Sequence, residues 1–313
     1  NQSFGEEKNA RYKAALKRFT QKWAEHEMSA RAMYRHANVL RGEGELVEAH
    51  KMAKRGISVF PESVGAKECR NLINQIEAKS SLVKTERVWN APFPKIQLRH
   101  RNLTKAYFRV VSYDWVTYMR ESNRHSEYIP SNERKQWLGK KPVKEWSVDL
   151  PPTKEFKERV EKITPPKDLK PGSYFLFASY DPEFKEQENE VSYSSFWVSD
   201  LSLIVRSLRG SGNLEGFVLN ANTGEPIQGA KVRLWKRENN RKIDLEPVST
   251  DANGLFRIKH ARASIRVLVS HEGHTLSSKD LFYVYQNNNQ YRPSERSVFF
   301  TDRSLYRPGQ TIR

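Results

Sequence analysis

Near residue 80 the apolar residues change their spacing from a helical period to a strand period, and this divides the chain more firmly than any motif. Before it, Tyr12, Leu16, Phe19 and Trp23 recur every three or four positions with Lys13, Lys17, Arg18 and Lys22 between them, which predicts a helix with aromatics on one face and charges on the other. A second helix is expected through Met33, Ala37 and Leu40, broken by Gly42-Glu43-Gly44. A third carries Leu46, Ala49, Ala53 and Ile57 and stops before Pro61, because proline disfavours helical geometry at the residue preceding it. The fourth has Ala66, Cys69, Leu72, Ile73 and Ile76 as its stripe. Burial of the Tyr12, Leu16, Phe19 and Trp23 stripe against the following hairpin is the expectation, and Trp23→Ala would then open a cavity.

Beyond residue 80, Ile96, Leu98, Tyr107, Phe108, Val110, Val111 and Tyr113 fall in short apolar or alternating runs, as half-buried strands do. Pro171-Gly172 signals a turn, and 173–180 reads as a central strand. Tyr193, Phe196, Trp197 and Val198 supply another, with 201–205 as a continuation after Asp200. The stretch 120–142 is polar; one helical turn over 133–138, capped by Ser131 or Asn132, is its only expected element. Phe156, Val160 and Ile163 suit a helix by spacing and an edge strand by setting.

The last part has the plainest turn chemistry. Leu214 to Leu219 is a strand, Asn222-Thr223-Gly224-Glu225-Pro226 a turn, and Ala230 to Trp235 a strand with Val232 and Leu234 on one face. Thr250-Asp251-Ala252-Asn253-Gly254 is a second turn, in which Asn253 and Gly254 can both take positive φ. Ile265, Val267 and Val269 alternate, and Phe282, Val284 and Phe299 supply late strands, so a sandwich of seven strands is expected.

Charge and motif content exclude several function classes. The net charge of +17 is distributed as +5 over residues 1–80, +4 over 81–204 and +8 over 205–313. With no zinc-finger spacing, RNP-like run or basic tail, nucleic acid is not an expected partner, whereas attraction to an anionic surface follows from charge alone. One cysteine in 313 residues excludes an internal disulfide framework, and no apolar run approaches the length of a membrane-spanning helix. His271 and His274 in HEGH are one residue short of the HExxH spacing that places two imidazoles on one helix face around zinc, and are read as solvent-facing loop residues. Ser211 in GSG is read as part of a flexible linker, not a nucleophile elbow. Glu25-His26-Glu27 and 43–48 are solvated faces, and Cys69 is a core thiol on an apolar stripe. No catalytic, cofactor-binding or metal-ligating residue is therefore assigned, and no cofactor is expected.

Three resemblances follow from these residues. Ala37 and Leu40, the glycine turn, Ala49, Ala53, Gly56 and Pro61 resemble one tetratricopeptide unit. A single unit implies a small bundle packed against the next domain in preference to a long peptide-binding groove. Residues 214–258, with TGEPIQGA and later TDANGLF, resemble the prealbumin-like or carboxypeptidase-regulatory β-sandwich, which implies a spacer or attachment domain. Residues 300–312, FTDRSLYRPGQTI, resemble the opening of a macroglobulin domain of the α2-macroglobulin family, and the Pro308-Gly309 turn suits a strand about to start.

Taken together the chain resembles the N-terminal part of a bacterial α2-macroglobulin, in the long envelope form of Bacteroidetes-like bacteria. The fold class implied is mainly β with an α-helical N-terminal segment, and tandem immunoglobulin-like/macroglobulin-type and prealbumin-like β-sandwiches. The domains implied are 1–80, a tetratricopeptide-like helical hairpin segment; 81–208, a macroglobulin-like sandwich; 209–300, a prealbumin-like sandwich; and 301–313, the start of the next macroglobulin domain. Its implied role is non-enzymatic: a structural section of a protein that inhibits or entraps proteases, placed in the periplasm or at the outer membrane. Implied partners are downstream macroglobulin domains, target proteases met by the full-length protein, and an envelope attachment; the alternative role is a cell-surface scaffold that binds a protein or glycan. Covalent trapping in this family uses a Cys-x-Glu-Gln thioester, and here Cys69 is followed by Arg70, Asn71 and Leu72. The terminal strand, Tyr306 to Arg313, would need the next domain's sheet to join.

Overall fold

A computed structural model describes residues 8–121, 127–153, 155–187, 189–238 and 241–287. The strand expected at Phe299 and the domain start expected over 301–313 lie outside the described residues. The architecture is mainly β, with most of its helix at the N-terminal end. Helices α1 (Lys8–Lys22), α2 (Met28–Gly42), α3 (Leu46–Val59) and α4 (Val64–Glu77) come first. Strands β1 (Ser80–Lys84), β2 (Val88–Trp89), β3 (Ile96–Arg101) and β4 (Lys105–Tyr113) follow, then α5 (Trp115–Glu121) and α6 (Ser131–Leu138). Next come β5 (Lys144–Asp149), β6 (Arg159–Ile163), β7 (Gly172–Ser179), β8 (Ser192–Val198) and β9 (Leu201–Leu208). The remainder is β10 (Asn213–Asn220), β11 (Lys231–Glu238), β12 (Arg241–Asp244), β13 (Val248–Ser249), β14 (Leu255–Lys259), β15 (Arg262–His271), β16 (His274–Ser277) and β17 (Phe282–Tyr285).

The chain forms two compact units. The first runs to Ser202 and takes in Leu219–Glu225 and Ser270–Leu276; the second holds Leu203–Val218, Pro226–Val269 and the described residues from Ser277. In the first unit, β1–β3–β6 make a three-stranded sheet and β2–β8–β7–β4–β5 a five-stranded one. One core joins them, with Val83, Ile96, Leu98 and Ile163 from the smaller sheet and Trp89, Phe108, Val110, Leu176 and Phe196 from the larger. β7 is the central strand that its sequence predicts, and it is buried on both faces. Tyr174, Leu176 and Ala178 point into the shared core. Phe175 points the other way, where Tyr113 stacks on it at 4.3 Å and Trp137 and Tyr118 meet it edge-on at 5.0 and 5.6 Å. The two short helices α5 and α6 supply Tyr118 and Trp137 and so cover the second face of β7.

Four expectations are corrected here. The aromatic stripe of α1 exists but is not buried: α1 has no buried residue, and Tyr12, Phe19 and Trp23 are 42%, 39% and 48% exposed. Period fixes only that these rings share a side of the helix; of the expected stripe Leu16 alone is half-buried, with Lys13 and Thr20 beside it. Helix α5 lies where the sequence predicts no element, and α6 begins at Ser131 with Pro130 as its N-cap and no side-chain cap. Strand β9 does not continue the first unit's sheets but pairs with β10, whose other neighbour is β14. Of the 156–163 run, Val160 and Ile163 lie on edge strand β6, whereas Phe156 sits before it with φ 57°.

The second unit supplies most of the sheet β14–β10–β9 and of a six-stranded sheet in which β12–β11–β15–β16 are in order, β13 pairs with β11 and β17 with β15. Its alternating residues are buried as expected, among them Leu214, Val218, Val232, Leu234, Phe256, Ile265 and Val267. Gly216 lies opposite Phe256, and a Cβ there would meet the Phe256 ring at 2.6 Å, so only glycine lets that ring fold over β10. The two predicted turns are closed by their own side chains. Asn220 Oδ1 accepts from the Asn222 and Thr223 amides at 2.8 and 3.1 Å, and Asp251 Oδ1 from the Asn253 and Leu255 amides, both at 2.9 Å. Gly224 and Gly254 take positive φ; Asn253 does not.

Candidate functional site

The helical hairpin is the first place to look for a binding surface. α3 and α4 close on α2 through small residues: Ala37, Ala49, Ala53, Ala66 and Cys69 are all fully buried. Ser63 caps α4 by accepting from the Ala66 amide at 3.1 Å. The C-terminal end of α4 is then fastened to the adjoining sheet. Asn102, just past β3 with φ 57°, donates from Nδ2 to the carbonyls of Ile76 and Ala78 at 2.8 and 3.1 Å, and Arg101 donates to those of Gln75 and Ala78. These carbonyls belong to the last turn of a helix, where no intrahelical donor remains. Phe156 packs against the hairpin core, 4.8 Å from the His50 ring, which also meets Glu77 Oε1 at 2.7 Å. The helices thus form a small bundle fastened at the end of α4 to the adjoining sheet.

Polar hubs are the second place. Glu127, in a part of the polar stretch where the sequence predicts no element, is nearly buried among aromatic rings. Its Oε1 accepts from the indole nitrogen of Trp115 at 2.8 Å, from that of Trp197 at 3.3 Å and from Arg87 at 3.2 Å, while Oε2 accepts from Ser195 Oγ at 2.8 Å. In the second unit Glu215 Oε1 accepts from Arg206 Nε at 2.6 Å and Oε2 from Arg257 Nε at 3.1 Å, and these bonds hold its carboxyl below the usual range. Lys242 faces Arg237 across the β11–β12 ladder, and its Nζ is buried without a hydrogen-bond partner. Burial, then Arg266 and Arg237, push its ammonium down to about 8.

Cys69, His274, Ser211 and Glu43, weighed as chemistry in the sequence, have structural tasks. Cys69 is free and fully buried, and burial pushes its thiol up to about 11, with Glu68 adding to the effect. His271 ends β15 and His274 starts β16, with Glu272 and Gly273 between them at φ 47° and 82°. They are half-buried strand ends, not solvent-facing loop residues, and His274 Nδ1 accepts from the Asp200 amide at 3.1 Å. Ser211 is not in a flexible linker: it donates to the Leu208 carbonyl at 2.8 Å, accepts from the Asn213 amide at 3.0 Å and bridges to Gln286, closing the β9–β10 turn with Gly210 and Gly212 at φ 75°. Glu43 pairs with Lys13 Nζ at 2.6 Å. Among the described residues no group of three or more His, Cys, Asp or Glu could hold a metal ion, and no helix is long and apolar enough to cross a membrane.

Comparison with known proteins adds structures only. No family model matches the chain, and no curated protein matches it. In structure, the chain is similar to native α2-macroglobulin of Escherichia coli. The crystal structure spanning domains NIE-MG1 is 14% identical with a TM-score of 0.49, over 65% of this chain and 97% of that one. The structure spanning MG0-NIE-MG1 is 15% identical with a TM-score of 0.47, over 64% of each chain. A cryo-EM reconstruction of the native conformation is 16% identical with a TM-score of 0.40, over 64% of this chain and 12% of that one.

Proposed function

We propose that this chain is a non-enzymatic structural section from the N-terminal part of a large bacterial envelope macroglobulin, whose full length inhibits or entraps proteases. In this reading 1–80 is the helical segment, 81–208 and 209–300 are successive sandwiches of macroglobulin-like and prealbumin-like type, and 301–313 opens the next macroglobulin domain. The partners are the downstream domains, and target proteases are met only by the whole protein, in the periplasm or at the outer membrane.

The observation that carries the reading is the use made of the segments bearing the resemblance. Asn220 and Asp251 spend their side chains on closing the TGEP and TDANG turns, and Thr250 Oγ1 accepts from the Ala230 amide at 2.9 Å while donating to the Ile227 carbonyl at 2.6 Å. Side chains committed in this way stiffen a spacer and offer nothing to a substrate. Likewise the candidate nucleophiles Cys69 and Ser211 are buried or bonded into turns.

The test uses the full-length protein and this chain side by side against several unrelated proteases. Entrapment predicts that the full-length protein blocks cleavage of a large protein substrate while small peptide substrates are still cut, and that residues 1–313 alone do neither. Inhibition of peptide cleavage by residues 1–313 alone, lost on one substitution, would sink the reading. The second reading, a surface scaffold that binds a protein or glycan, is favoured by one observation, the exposed aromatics of α1.

A further inference from the structure

Helix α1 has the composition of a surface that expects a partner. It contains Lys8, Arg11, Lys13, Lys17, Arg18 and Lys22 and no acidic residue. The first acids after it, Glu25 and Glu27, come in the turn that follows. At about 100° per residue, Tyr12, Phe19 and Trp23 fall within an arc of about 40°. Trp23 stays on that line because its amide donates to the Phe19 carbonyl at 3.0 Å, one more helical bond beyond the helix end. The Phe19 and Trp23 rings lie 6.5 Å apart, and Lys22 Nζ stands 5.5 Å from the Trp23 ring centre. All three aromatics are exposed, whereas Lys13 on the other flank is held by Glu43.

We propose that α1 lies in the headgroup layer of an anionic lipid bilayer, with Tyr12, Phe19 and Trp23 inserted and Arg18 and Lys22 on lipid phosphates. The proposal does not depend on the macroglobulin reading. Three features select this occupant. Charge complementarity comes first: a helix of six cations, on a chain of net charge +17, is drawn to an anionic surface and repelled by a second copy of itself. The geometry is second. Arg18 and Lys22 sit about 120° and 80° round the helix from Tyr12, so their long stems reach upward to phosphates while the rings go down. Residue type is third, since Trp and Tyr carry a polar tip on an apolar ring and settle at the boundary between headgroup and acyl chain.

The experiment is co-sedimentation of the intact chain with vesicles of phosphatidylcholine alone and of phosphatidylcholine with equimolar phosphatidylglycerol, at low and high salt. The expected result is binding to the anionic vesicles about tenfold or more tighter than to the neutral ones, weakened by salt. The Phe19→Ser/Trp23→Ser variant should bind about tenfold more weakly at an unchanged thermal midpoint, because both rings are exposed. Brominated lipid should quench the tryptophan emission of the wild type, and Trp23→Phe should bind normally while losing that quenching. Equal binding by Phe19→Ser/Trp23→Ser would mean adsorption by charge alone, and undiminished quenching in Trp23→Phe would place another region in the lipid; either overturns the proposal. So does failure to bind anionic vesicles, the result expected if the patch serves an acidic protein instead.

Discussion

Gly56 on α3 lies directly against the Cys69 sulfur of α4: a Cβ at position 56 would stand 2.7 Å from Sγ and 3.4 Å from the Met33 Cβ. Alanine at 56 gains about 1 kcal/mol in helix propensity, while overpacking a tight core costs about 1 to 3 kcal/mol, so Gly56→Ala should lose about 1 kcal/mol net. Adding Cys69→Ala removes the obstructing atom, and the double variant should recover that loss. Gly65 is the stricter case, since its Cβ would meet the Arg31 backbone nitrogen at 2.3 Å, and backbone cannot rotate aside. Gly65→Ala should cost about 3 kcal/mol. Denaturant unfolding of the three variants checks the order. The same burial that raises the Cys69 thiol to about 11 should leave it unreactive towards thiol reagents at neutral pH until the chain unfolds.

Trp23 and Trp89 make a second test, one ring exposed and the other fully buried. Trp89 stacks on Phe196 at 3.9 Å and donates from Nε1 to Thr85 Oγ1 at 2.7 Å. Trp89→Ala should cost about 3 to 5 kcal/mol through lost burial and a cavity. Trp23→Ala should cost less than about 1 kcal/mol, as surface substitutions do. Thermal unfolding that ranked the two equally would contradict the exposure of α1.

These residues also mark what could be read in advance. The strands carrying Phe175 and Phe196 and the turns at Asn220 and Asp251 were legible because period and turn chemistry are local. Trp23 was legible in phase but not in burial, which depends on what another element covers. Ser211 misled for a related reason: glycines that free a linker are the same glycines that let a tight turn take positive φ, and only the distant bridge to Gln286 decides. Glu127 gave no sequence signal, since its acceptor role is set by Arg87 and Trp197, forty residues before it and seventy after. His100 could have been found, because the alternation of Ile96 and Leu98 points it into the core.

His100 predicts a pH dependence of stability. It is fully buried on β3 between Ser81 and Arg159 of the neighbouring strands, and neither ring nitrogen has a hydrogen-bond partner. Burial lowers its pKa, Arg159 adds to the effect and Glu161 opposes it. The unfolded chain takes up a proton near pH 6.5 while the folded chain resists it, so stability is complete above about pH 7 and falls as the pH drops below 6.5. The slope can reach about 1.4 kcal/mol per pH unit for one proton. His36, lowered by burial and by Lys13 and Lys17, acts in the same window. His100→Leu should therefore reduce the slope between pH 7 and about 5 without abolishing it. Urea titrations across that range that gave parallel curves for the two proteins would show His100 protonating freely in the fold.

Glu127 sets the last expectation, on the rigidity of the aromatic face around β8. Its carboxylate serves two indole N–H groups, a guanidinium and the Ser195 hydroxyl. Glu127→Ala removes an acceptor shared by all four in a nearly dry setting, and about 3 to 5 kcal/mol should be lost. Glu127→Gln keeps one carbonyl oxygen but replaces the other with a donor that cannot accept from Ser195, so about 1 to 2 kcal/mol is expected. Tryptophan emission should report the difference, since Trp115 and Trp197 lose a charged partner in both variants but their common acceptor only in the alanine variant. Equal losses for alanine and glutamine would mean that charge, and not acceptor geometry, holds the rings. Losses below about 1 kcal/mol in both would mean that water replaces the carboxylate at no cost.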